Sequence, residues 1–406
     1  MNAFANRSDL QAIEAEMAWP DRGLARSMYE FVTRARDAHG ARPAISFQLL
    51  SGPGSKAETV TWSELHGQVT QAANLFRHFG VGETDVVAYI MPNALETAIT
   101  LLGGAVAGIV NPINPLLEAN QISAILRETK AKVVVTLKAF PKTDLPQKVA
   151  EAVKFAPGVK TVLEVDLCRY LSGVKRYIVP LIRPKNPVTH TADVRDFRTE
   201  MARHRADRLD FTDTTQDRVA AYFHTGGTTG MPKVAQHKVS GMIYNGWIGS
   251  RLLFRETDTV LCPLPLFHVL AAYPVMMSMI AAGAHVVFPT PQGYRGEGVM
   301  DNLWKLIERW KVTYLITVPT ALSALMQRPI NMNRSTSPGG RWNFFPKARS
   351  ASKRGSAPSR VSIFPSASGG LSGHGTRSTP RWHFARRSVP GTIRRTFRDV
   401  PDARQE

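Results

Sequence analysis

The stretch that decides the fold is AAYFHTGGTTGMPKVAQH, residues 220–237. An apolar run ends in five consecutive glycines and threonines, Gly226 to Gly230, and Pro232 and Lys233 follow closely. Glycines admit positive φ and let the backbone come close to a ligand, so successive N–H groups are able to face one anion. Thr225, Thr228 and Thr229 add hydroxyl donors, and Lys233 adds a full positive charge. A plain turn between strand and helix needs about one or two glycines, without the hydroxyls and the lysine. The stretch therefore predicts a phosphate cradle. It is not a Walker loop, because Gly-Lys-Ser/Thr is absent and Pro232 stands before the lysine.

Outward from this loop the sequence alternates helix and strand patterns. Thr61-Trp62-Ser63-Glu64 is a capping box, followed at helical spacing by Leu65, Val69, Ala72, Phe76 and Phe79, with Gly80 as the stop. DVVAYIM (85–91), AKVVVTL (131–137) and VKTVLEV (159–165) read as buried strands, and Pro92-Asn93 leads into another helix. Residues 168–218 read as a polar, basic connection. VAAYF, TVLCPLPL, HVVFPT and YLITVP follow as strands, separated by helices expected at 236–254, 269–284 and 298–312. The alternation predicts an α/β fold of parallel sheets flanked by helices.

Composition sets the outer limits. The chain has 406 residues, 43% of them hydrophobic, enough for a large core. Its two cysteines, Cys168 and Cys262, are too few for a disulfide framework and point to a reducing, cytoplasmic setting. The N-terminal segment, 1–44, mixes acids and polar residues early and does not read as a secretory signal. The uncharged stretch Val269 to Val287 contains Pro274, Gly283 and His285 and reads as a buried helix and strand rather than a membrane span. The net charge of +19 is unevenly spread: residues 333–406 hold fifteen basic and three acidic residues, a net +12. The remaining +7 argues against a nucleic-acid binder, a reading that rests on the tail alone.

The tail, 329–406, is rich in Ser, Arg, Pro and Gly and has no acid between Glu308 and Asp399. Such a segment buries too little apolar surface to offset its ordering entropy, so disorder is expected. Two origins stay open, a natural basic tail and a shifted reading frame in a GC-rich gene. The break in an unfinished α/β pattern favours the second.

TGGTTGMPK resembles the phosphate-loop signature of the adenylate-forming (AMP-binding) enzymes, which include the acyl-CoA synthetases. VTWSELHGQVTQAANLF (60–76), VAYIMPNALETAITLLGGAVAGIVNPINPLL (87–117) and PLPLFHVLAA (263–272) support the resemblance, in the family's order. It covers roughly 45–328, taken as a truncated synthetase domain, and is nearest to the acyl-CoA synthetases, long-chain fatty acid–CoA ligases among them. Val234 departs from it, since the family usually has Gly there. The resemblance implies a two-step reaction. A carboxylate attacks the α-phosphate of ATP to give acyl-AMP and pyrophosphate, and coenzyme A then displaces AMP, with Mg²⁺ sharing the phosphate charge. Gly226, Gly227 and Gly230 would let the backbone close over the β- and γ-phosphates, while Thr225, Thr228, Thr229 and Lys233 would hold the departing pyrophosphate.

By the same resemblance His268 takes a catalytic position at the junction of acyl and nucleotide pockets, the alternative being a satisfied core histidine. His237 has shorter spacing than the family's Thr-His and is not assigned. Met276, Met277 and Met279 read as core, and Tyr244, Asn245 and Trp247 as candidate acyl-site residues. No metal ligand is assigned. The family's Tyr-Gly-x-Thr-Glu and Thr-Gly-Asp motifs, and its C-terminal domain with a catalytic lysine, are not found after Gln327. The expectation is a truncated, impaired acid–CoA ligase acting on a carboxylic acid of the fatty type. The rival is a non-catalytic remnant that binds phosphate or acyl groups weakly. Residues 168–185, CRYLSGVKRYIVPLIRPK, mix cations with apolar residues and read either as a surface connection or as a membrane-peripheral element.

Overall fold

The computed structural model describes residues 7–184, 189–225 and 233–328. They form two mainly parallel sheets flanked by helices, as the alternation predicts. In chain order the strands are β1 (Pro43–Gln48), β2 (Ala57–Thr61), β3 (Val86–Ile90), β4 (Ile109–Pro112), β5 (Ala131–Leu137) and β6 (Thr161–Val165). They continue with β7 (Asp193–Asp196), β8 (Val219–Thr225), β9 (Lys233–Lys238), β10 (Thr259–Leu261), β11 (His285–Phe288) and β12 (Tyr314–Leu315). One sheet runs β7-β6-β5-β3-β4-β8-β9, the other β12-β10-β11-β1-β2. Every neighbouring pair is parallel except β8–β9 and β1–β2, the antiparallel hairpins that close one edge of each sheet.

The capping box forms as read. Thr61 Oγ1 accepts from the Glu64 N–H, the Glu64 carboxylate accepts from the Thr61 N–H, and helix Trp62–His78 follows. It ends at Phe79, and Gly80 takes φ +78°. Helix Leu95–Ala107 is buried along its whole length, which explains its apolar character on every side. It lies so close to helix Trp62–His78 that a Cβ at Gly103 would come 2.8 Å from the Ala72 Cβ. The Arg218 guanidinium donates to the carbonyls of Ala105 (2.8 Å), Val106 (2.9 Å) and Gly108 (2.6 Å) at this helix's C-terminus. Those bonds fix the start of β8 beside β4.

Three expectations change. The helix expected at 236–254 is helix Val239–Leu252, because residues up to Lys238 pair with β8 as an edge strand. The loop at 226–232 therefore joins two strands rather than a strand and a helix. The connection 168–218 is not featureless: it holds helix Lys175–Leu181, β7 at the edge of the larger sheet, and helix Phe197–Met201. The apolar stretch 269–284 contains a π-helical segment, Ala271–Met277, then helix Ser278–Ala282. Among the described residues no helix is long and apolar enough to cross a membrane. The readings made on residues 329–406 lie outside the described residues.

Candidate active site

In open α/β sheets, ligands bind in the crevice beyond the carboxyl ends of the parallel strands. The quoted stretch ends there. β8 runs parallel to β4 and delivers Thr225 to that edge, and β9 returns antiparallel with Lys233 opposite Thr225. The seven residues Gly226 to Pro232 join the two strands. Gly226, Gly227, Thr228, Thr229 and Gly230 lie outside the described residues, and of Thr225 only the backbone is described. Lys233 is exposed at the first position of β9, beside the loop.

Beneath the loop sits a residue that the sequence reading passed over. His224 donates from Nε2 to the Asn111 Oδ1 at 2.8 Å. The Asn111 amide points its oxygen this way because its Nδ2 donates to Thr129 Oγ1, 3.2 Å away. Burial holds the imidazole neutral, with its pKa lowered to about 4. Its Nδ1 is buried without a partner among the described residues.

The other quoted segments converge at the same edge. After β3, Asn93 is fully buried and clamps the segment that follows β10. Its Nδ2 donates to the Leu264 carbonyl and its Oδ1 accepts from the Leu266 N–H, both at 2.8 Å. The Tyr89 hydroxyl donates to the Leu266 carbonyl at 2.7 Å. These bonds lock PLPLFH of one sheet to MPN of the other.

His268 follows directly. It is exposed, which excludes the core-histidine alternative, and its carbonyl accepts from Ala271 and Ala272 at 3.1 Å each, starting the helical turn. Five residues on, Tyr273 packs against the loop hairpin, its ring 5.0 Å from Phe223 and 4.9 Å from His237. Its hydroxyl is buried without a partner among the described residues, and burial raises its pKa. Tyr273 lies in the π-helical segment, a distortion that recurs at functional sites. Burial lowers the His237 pKa.

Met276, Met277 and Met279 are core, as read. Tyr244 and Trp247 instead line an open cavity of about 530 Å³ with Glu14, Met17, Trp19 and Arg22, and Asn245 borders it too. Trp19 lies 5.3 Å from Tyr244 and 5.6 Å from Trp247, and Arg22 stacks on Trp247 at 4.4 Å. These residues hold the N-terminal segment to helix Val239–Leu252. Among the described residues no three His, Cys, Asp or Glu side chains gather as a metal site.

The AMP-binding enzyme family model matches residues 32–391. A marinolic acid–CoA ligase from Pseudoalteromonas sp. (strain SANK 73390) is 31% identical over 294 residues, covering 69% of this chain and 41% of that protein. An acetyl-coenzyme A synthetase from Xanthomonas campestris pv. campestris (strain 8004) is 26% identical over 316 residues, covering 76% of this chain and 46% of that protein. The chain thus spans less than half the length of these relatives. An anthranilate–CoA ligase solved in complex with anthranoyl-AMP superposes with a TM-score of 0.61 at 19% identity, over 77% of this chain and 55% of that one, which shows the shared fold. With the family match spanning most of its length, the chain belongs to the AMP-binding enzyme family.

Proposed function

We propose that residues 45–328 form the pyrophosphate side and one acyl-facing wall of an acid–CoA ligase. In that reaction a carboxylate oxygen attacks the α-phosphorus of ATP, the bond from that phosphorus to the bridging oxygen breaks, and pyrophosphate leaves with the electron pair. The thiol of coenzyme A then attacks the acyl carbon and AMP departs. The observation that carries the reading is the β8–β9 register, which sets Thr225 and Lys233 opposite each other at the base of a glycine–threonine loop. Lys233 and the loop hydroxyls would hold the leaving phosphates where their charge grows, with Mg²⁺ entering as the counter-ion of ATP. Phe223, Tyr273 and His237 pack ring to ring behind the hairpin, and the carboxylic acid proposed for the acyl side is one with a medium or long apolar chain. Two buried cysteines suit a reducing, cytoplasmic setting.

Titration of ATP and of pyrophosphate tests this reading. Lys233→Ala should weaken both by about 1.5–3 kcal/mol, the loss of a charge-assisted contact. Equal affinity in wild type and variant would overturn the assignment. Residues 329–406 contain neither Tyr-Gly-x-Thr-Glu nor Thr-Gly-Asp. Loss of one well-placed electrostatic donor costs about 10²–10³ in rate, so the 406-residue chain should form no acyl-CoA with any fatty acid. Robust pyrophosphate release by it would contradict this. The reading-frame origin of the tail is tested by sequencing the gene through codons 320–340. The second reading is a non-catalytic remnant that binds phosphate or acyl groups weakly. Ligand binding without turnover, persisting after the frame is restored, would establish it.

A further inference from the structure

Residues 172–184 invert the usual order of an amphipathic helix. Val174, Tyr177, Ile178, Leu181 and Ile182 recur at spacings of three and four, the stripe a soluble helix turns to its core. Here the stripe faces outward: Val174 is 71% exposed, Tyr177 73%, Ile178 47%, Leu181 73% and Ile182 60%. Val179, on the other side of helix Lys175–Leu181, packs against the core.

The stem beneath this tip is braced. Arg169 pairs with Glu58 at 2.6 Å and with the buried Glu96 at 3.0 Å, and the Tyr170 hydroxyl donates to Glu96 at 2.7 Å. Arg183 donates to the Asp166 Oδ2 at 2.6 Å. Arg169 and Arg183 are therefore structural, and Lys175 and Arg176 remain exposed beside the stripe. No acid occurs between Asp166 and Asp193.

We propose that residues 174–182 form an anchor that docks this chain on an anionic lipid surface. The apolar stripe enters the interfacial layer, and Lys175 and Arg176 meet the headgroup phosphates. Charge and size choose this occupant. Cations with no acid among them complement a negative layer lying over an apolar one. Five side chains are too few for a stable protein interface, which takes about 20–30 residues a side.

The test uses the full chain with vesicles of phosphatidylcholine alone, or with roughly a third phosphatidylglycerol. The basic segment 333–406 also adsorbs to anionic vesicles, so the readout must be local. Cys168 and Cys262 are buried, so a polarity-sensitive dye is directed to Leu181→Cys, with Glu151→Cys as the exposed control. With phosphatidylglycerol the dye at position 181 should brighten and shift to the blue, and the dye at 151 should not. Lys175→Gln with Arg176→Gln should weaken the response about 25-fold at low salt, at roughly fivefold per charge. Tyr177→Gln should weaken it at least tenfold, and high salt should release the chain. Circular dichroism should be unchanged, since the substituted side chains are exposed. Three results would overturn the proposal: vesicle adsorption with a silent dye at 181, an equal response to uncharged vesicles, or a dye shift that needs only more protein and no lipid. The last would reveal self-association through the stripe.

Discussion

β1–β2 and β8–β9 are built alike: an interior strand of a parallel sheet, a connection rich in glycine and hydroxyls, and an antiparallel edge strand. Even the connections look similar. Residues 49–56, Leu-Leu-Ser-Gly-Pro-Gly-Ser-Lys, carry glycines, a proline, serines and a lysine, as the phosphate-loop stretch carries their counterparts. Their polar groups meet different fates. In the first hairpin, Gln48 accepts from Arg309 at 3.2 Å and from the Trp310 indole at 3.1 Å, Ser51 donates to the Glu297 carbonyl at 2.7 Å, and Lys56 donates to the Arg169 carbonyl at 3.0 Å. In the second, the His224 Nδ1 and the Tyr273 hydroxyl are buried around the hairpin without partners among the described residues. Similar composition thus does not decide what a connection does. Leaving such atoms unpaired is costly unless a ligand, a water or a neighbouring residue completes them.

The largest expected effect falls on the first hairpin. Its edge strand is tied through Glu58 and Arg169 to the buried Glu96. Glu96→Ala strands Arg169 and removes the acceptor of Tyr170, so stability should fall by about 3–5 kcal/mol in urea unfolding. Pyrophosphate affinity of the folded variant should not change, and a loss below about 1 kcal/mol would break the structural reading of this hairpin.

Gln48→Ala should cost less, about 1–3 kcal/mol, by leaving the Trp310 indole N–H and the Leu50 carbonyl short of a partner. Nucleotide binding should again be unchanged. A binding defect without a stability defect would show that the first hairpin also touches ligand.

The third effect is spread over pH. Each sheet holds a half-buried neutral imidazole: His285 against Ser46 at 2.8 Å, and His224 against Asn111 at the same distance. Burial lowers both pKa values from 6.5 to about 4. Between those values the unfolded chain binds protons that the native one refuses, so stability is full above about pH 6.5 and declines as pH falls toward 4. His224→Gln should flatten part of that slope, as read by denaturant midpoints across the window. An unchanged slope would mean His224 is not buried neutral.

What was legible followed from strong local signals. The Thr61–Glu64 box, the Gly80 stop and the β5 run Ala131–Leu137 could be read from residue type and period alone. β9 was hidden, because its six residues alternate weakly between exposed and half-buried and run into helix Val239–Leu252. β7 was hidden because Asp193–Asp196 is short and mostly exposed, and its pairing with β6 is a long-range fact. In the site, Lys233 and His268 were marked by their motifs. Asn93, His224 and Tyr273 were not, since a lone Asn, His or Tyr signals nothing until the fold shows what its polar atoms face.

The central claim, that one of two similar hairpins is the phosphate site, is tested most directly by backbone hydrogen exchange with and without pyrophosphate. The account predicts slowed exchange in peptides spanning residues 219–238 and none in those spanning 43–61. Protection of the 43–61 peptides, or no protection of 219–238 at saturating pyrophosphate, would contradict it.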